Sequence, residues 1–114
     1  MLFDRFTIAL MTLRPDAPRL DDAAGRALQD AHLEFLAELH EAGQLLAAGP
    51  LQHERFRGLS ILNVEPERAL ELKRQDPAVR TGRLAAEVMT WMVPGGAVAF
   101  SPASFPRSIA EAED

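Results

Sequence analysis

An α+β fold with the element order β-α-β-β-α-β follows from three features of the sequence. A long segment with helical periodicity, residues 22–42, lies between two strand-like runs. A second, shorter helical pattern begins at Pro66 and is followed by a last strand-like run. Pro, Gly and Asp clusters punctuate the chain where these patterns change, at Arg14-Pro15-Asp16-Ala17-Pro18, Gly49-Pro50, Asp76-Pro77 and Pro94-Gly95-Gly96.

Residues 3–13 alternate as a strand, with Phe6, Ile8 and Leu10 on one face and Thr7, Ala9 and Met11 on the other. Asp21 or Asp22 can cap the first helix, which runs to about Ala42, and Gly43 suits its stop. Ala24, Leu28, His32, Phe35, Leu39 and Ala42 share one stripe of that helix, opposite Asp30, Glu34, Glu38 and Glu41. Residues 44–51 form a short apolar strand. After the turn Gln52-His53-Glu54-Arg55, residues 56–64 form the next, and the short connection predicts an antiparallel hairpin. The second helix runs from Pro66 to Arg74, Pro77–Gly82 is a turn or short helix, and residues 85–93 are the last strand. The order is that of the ferredoxin-like split βαβ pattern, an antiparallel sheet with two helices on one face. Thr7, Ala9 and Met11, with several alanines and leucines, are expected on the helix-free face, although a one-residue shift of register exchanges the two sets. A bare apolar sheet face predicts a homodimer packed sheet to sheet. Residues 1–94 are read as the domain and residues 95–114, rich in Pro, Ala and Ser, as a peripheral or mobile tail.

The 114 residues suit one domain, and 47% hydrophobic with 25% charged residues is the composition of a folded chain. A formal net charge of −5 argues against nucleic acid or an anionic membrane as the main partner. With no cysteine, disulfides, thiolate nucleophiles and Cys-ligated metals are excluded. No apolar run reaches membrane-spanning length, and Asp4-Arg5 interrupts the N-terminal segment where a signal peptide would be apolar, so the expected location is the cytoplasm.

His32 is the residue that invites a chemical reading. It lies inside an apolar helical stripe, either as a core histidine bonded to a backbone carbonyl or as a buried general acid or base, since imidazole titrates nearest neutral pH. His40 is expected at a solvated or interface edge and His53 in an exposed turn, and the three lack metal-ligand spacing. Asp76-Pro77 reads as the cap and first residue of a short turn, or as a carboxylate that orients a histidine. Gly49-Pro50 ends a strand where a backbone could approach a ligand. Ser60 has no sequence neighbour to activate it, Phe56 and Trp91 read as core or interface fillers, and Arg55, Arg57 and Arg83 as surface residues able to bind an anion. There is no phosphate loop, nucleophile elbow or dinucleotide fingerprint, so no cofactor is expected.

In order and spacing the chain resembles the YCII-related proteins over roughly residues 3–94. The resemblance rests on Asp30–Leu36 with His32, on Glu41–Leu51 with Gly43 and Gly49-Pro50, on Gly58–Leu62, on Glu67–Leu72 with Gln75–Val79, and on Thr90–Pro94. It implies a ferredoxin-like fold that dimerises as an α+β barrel. It also implies an active site built on a histidine and an aspartate, here His32 and Asp76. The turn at Gln52–Arg55 departs from the family, lacking its usual aspartate and glycine, and the tail extends past the usual domain end. Two functions are then expected in competition. The first is a cofactor-independent enzyme for proton transfer on a small molecule, a lyase, isomerase or dehydrochlorinase, with His32 and Asp76 catalytic and Gly49, Pro50, Ser60 and Trp91 lining the pocket. The alternative is a dimeric module that binds or senses a small ligand without turnover.

Overall fold

The computed structural model describes residues 2–113. Strand β1 (Phe3–Leu13) leads to helix α1 (Asp22–Glu41), the hairpin β2 (Leu45–Pro50) and β3 (Phe56–Leu62), helices α2 (Pro66–Lys73) and α3 (Pro77–Arg80), strand β4 (Leu84–Pro94) and a final turn of helix, α4 (Ile109–Ala112). The four strands form one antiparallel sheet in the order β2-β3-β1-β4. The fold is α+β, and this sheet is compatible with the ferredoxin-like pattern.

Each long element starts and stops where local chemistry directs. The Asp21 carboxylate accepts the Ala24 amide at 2.7 Å and caps α1, supplying an acceptor to an otherwise orphan N–H. Gly43 ends the helix with a φ of 79°, a backbone state that residues with a Cβ avoid. Helix α2 has no side-chain cap, and Pro66 begins it by occupying a position with no N–H to satisfy.

The register of β1 corrects the expected facing. Thr7, Ala9 and Met11 are buried under the helices, and Phe6, Ile8 and Leu10 lie on the opposite face. Thr7 and Ala9 are small enough to let the helices approach, and Met11 lines the cavity. Ala9, fully buried, joins Leu36, Leu39, Leu45, Leu62, Ala69 and Leu72 in the core, and the Thr7 hydroxyl donates to the Val64 carbonyl at 2.6 Å. The cross-strand partners of the outward set are Ile61 and Met89 for Ile8, Leu59 and Glu87 for Leu10, and Trp91 for Phe6.

The stripe of α1 is narrower than the periodicity predicts. Ala24 and Ala42 are exposed, because the ends of the helix reach past the core, and burial is concentrated at Leu36, Ala37 and Leu39.

The tail packs on the outside of the domain. It folds back across the end of the sheet and runs along α1. Phe100 meets Phe6 edge-on at 5.3 Å, and Phe105 stacks on the His40 ring at 4.0 Å. The Ile109 amide donates to Asp30 at 2.8 Å, and Arg107 pairs with both Glu34 and Glu41. The acidic face of α1 is therefore the tail's docking surface, since a cation and an exposed N–H meet carboxylates there.

Candidate active site

The site forms where α1 crosses the β2–β3 hairpin, and a cavity of about 630 Å³ opens there. His32 and Leu36 of α1 form one wall, Ala48 to Pro50 and Ser60 of the hairpin another, and Phe105 and Ile109 of the tail a third. A volume of this size holds a small organic molecule.

His32 faces this cavity with its side chain 15% exposed. Its Nδ1 lies 2.9 and 2.8 Å from the two oxygens of Asp76, 44 residues on. A carboxylate has no proton to give, so Nδ1 donates, and Nε2 remains as the nitrogen available to a molecule in the cavity. Asp76 is completely buried. It is placed by its own turn: its Oδ1 accepts the Ala78 amide at 2.9 Å, and Pro77 starts α3 directly behind it. The cap role and the contact with the histidine coexist, because one carboxylate has lone pairs for both partners.

No sequence motif marks Lys73, yet among the described residues it is the largest fully buried side chain. Its Nζ donates to the Ser60 hydroxyl at 2.7 Å, and the Asp76 amide donates to its carbonyl at 3.1 Å. Burial pushes the ammonium down from 10.5 to about 8, against the opposing pull of the Asp76 charge. The signal was present in α2: Lys73 shares an i, i+4 stripe with buried Ala69, where an apolar residue would be expected.

The other singled-out residues divide. Gly49, Pro50 and Ser60 line the cavity together with His32. Trp91 does not, which corrects its expected place: its position on β4 puts it on the far face of the sheet, beside Phe6 at 6.1 Å. Arg57 and Arg83 reach the cavity wall. His40 is tied between the carbonyls of Leu45 and Ala103, at 2.7 and 3.0 Å, and serves the tail. His53 accepts the amides of Arg55 and Phe56 in its turn. The tail residues Phe105 and Ile109 escaped sequence reasoning, because composition alone marks that segment as loop. Among the described residues no helix is long and apolar enough to cross a membrane.

The model of the YCII-related domain family matches residues 6–92, which include both His32 and Asp76 and stop short of the tail. No curated protein matches the chain.

Proposed function

Because the chain belongs to the YCII-related domain family, we propose that it is a small-molecule enzyme in which His32 and Asp76 act as an acid/base pair. The observation that carries this reading is the bidentate approach of Asp76 to His32 Nδ1 at the edge of a cavity large enough for a substrate.

In this reading Nε2 of His32 takes a proton from a carbon or hydroxyl of the substrate and returns it at another position or to a leaving group. Asp76 fixes the ring orientation and tautomer and stabilises the imidazolium formed on the way. The steps that fit are those of a lyase, an isomerase or a dehydrochlorinase, each a proton transfer beside an activating group. General acid–base help of this kind is worth about 10²–10⁴-fold. The protein is proposed to work as a cytoplasmic homodimer, joined through the sheet face that carries Phe6, Ile8, Leu10 and Met89.

The test is proton exchange. A panel of small carbon acids is incubated with the protein in heavy water, and deuterium uptake at carbon is followed by mass spectrometry. The reading requires uptake into at least one compound by the wild type and its loss by about 10²-fold or more in His32→Ala. Uptake that persists in His32→Ala removes His32 as the base. Compounds that bind in the cavity but neither exchange nor turn over favour the non-catalytic binding module.

A further inference from the structure

The chain carries a net charge of −5, yet its cavity is not acidic. The charged side chains on its walls are Arg57 and Arg83, with Glu113 as the acidic one among the described residues, at the exposed end of the tail. Neither arginine takes part in an ion pair among the described residues. Arg57 Nη1 donates a long bond, 3.4 Å, to the Glu54 carbonyl at the rim, and the charge of both guanidinium groups stays uncompensated there among the described residues.

Ser60 adds a more directional element. Its hydroxyl accepts from the Lys73 ammonium at 2.7 Å, and among the described residues it donates to no other group. A hydroxyl whose lone pair is engaged by a cation has its O–H left for a second partner and polarised toward it. Ser60 lines the cavity and Lys73 does not. Lys73 thus stands behind the serine, delivering positive charge to the cavity wall without meeting the ligand. A buried ammonium is costly to keep, and among the described residues this one is held by the hydrogen bond to Ser60 and the nearby charge of Asp76. Beside His32 and Gln29, the rest of the wall is mostly apolar, as at Leu33, Leu36 and Ile109.

We propose that the ligand of this cavity is a small organic anion, an apolar body carrying a carboxylate or similar charged oxygen, received by the Ser60 hydroxyl with Lys73 behind it and by Arg57 and Arg83. The proposal rests on the reading of this cavity as the substrate site and names the class of molecule that enters it. Ser60 and the two arginines are binding residues, and Lys73 is a positioning residue acting through Ser60.

Benzoate and its neutral isostere benzamide are the probes, titrated into the full chain by calorimetry at pH 7, with amide chemical shifts of Ser60 and Arg83 locating the binding. Wild type is expected to favour benzoate by about ten-fold or more, the value of a charge-assisted contact. Lys73→Met fills the same space without charge and should bring the two probes to near-equal affinity. Arg83→Gln should narrow the gap in part. A role of Lys73 in folding alone would move both probes together and leave their ratio intact. If Lys73→Met does not fold, Ser60→Ala and Arg83→Gln carry the same comparison. Equal affinity of the wild type for both probes, no binding of either, shifts confined to another surface, or an unchanged ratio in the folded variants would each overturn the proposal. The acid/base reading is judged separately by deuterium exchange: benzoate preference without exchange removes that reading alone, and exchange without benzoate preference removes this proposal alone.

Discussion

Asp76 sits at the meeting point of three demands: it caps α3, holds His32 and lies close enough to Lys73 to raise the affinity of that lysine for its proton. Removing it leaves a buried ammonium without its counter-charge. Asp76→Ala is expected to destabilise the protein by about 3–5 kcal/mol, the usual result of deleting one partner of a buried charged group, measured by urea denaturation. Lys73 gives a pH dependence whose sign is fixed. Its folded pKa, about 8, lies below the unfolded 10.5. Between those values the unfolded chain binds more protons, so this group makes stability rise with pH, by about 3 kcal/mol in total at most. The stability of wild type minus that of Lys73→Met should accordingly climb from pH 8 to pH 10, and a flat difference would contradict the burial of a charged Lys73. At this scale the sequence was half legible. His32 stood out as a titratable residue in an apolar stripe, and Asp76-Pro77 as a cap. Lys73 passed unnoticed because lysine at a helix end is ordinary, and only the sheet beneath it turns that position inward.

Among the elements, α1 and the hairpin were readable because their signals are local: an Asp cap, a helical period, a Gly stop and a short turn. Asp21→Ala should cost about 1 kcal/mol in thermal or denaturant unfolding, since the Ala24 amide loses its acceptor at an exposed helix end. The facing of β1 was not readable, because both of its alternating sets are apolar or small and neither one is marked as outside. The docking of the tail was not readable for a different reason. Its hold on α1 comes from contacts distant in sequence, Phe105 with His40, Arg107 with Glu34 and Glu41, and Ile109 with Asp30. No local pattern announces such pairings. In Phe105→Ala the stack is lost together with part of the cavity wall. Limited digestion with a broad-specificity protease should then cut within residues 97–108 faster than in the wild type, while residues 3–94 stay intact. Equal cutting rates would show that the stack does not hold the tail.

For the molecule as a whole, the helix-free face of the sheet is the surface through which the proposed dimer would form. Phe6, Ile8, Leu10, Ile61 and Trp91 remain only partly buried there, and Met89 is 40% exposed. Phe100 covers just one end of this surface, at Phe6. A second copy placed on it would bury roughly 1,200–2,000 Å², enough for a stable dimer. Sedimentation equilibrium at micromolar concentration should report twice the 12.5 kDa chain mass. Ile8→Glu, which sets a charge in the middle of the face, should shift the protein to monomer with its helical content unchanged. A wild type that sediments as a monomer would exclude the sheet-to-sheet dimer.

The central claim is that Asp76 holds the proton of His32 on Nδ1 and so leaves Nε2 free to act as a base toward the cavity. Long-range proton–nitrogen NMR correlations of the neutral His32 ring report which nitrogen carries the proton. The account predicts a protonated Nδ1 and a bare Nε2 in the wild type, with that preference lost in Asp76→Ala. A neutral ring protonated at Nε2 in the wild type would contradict it.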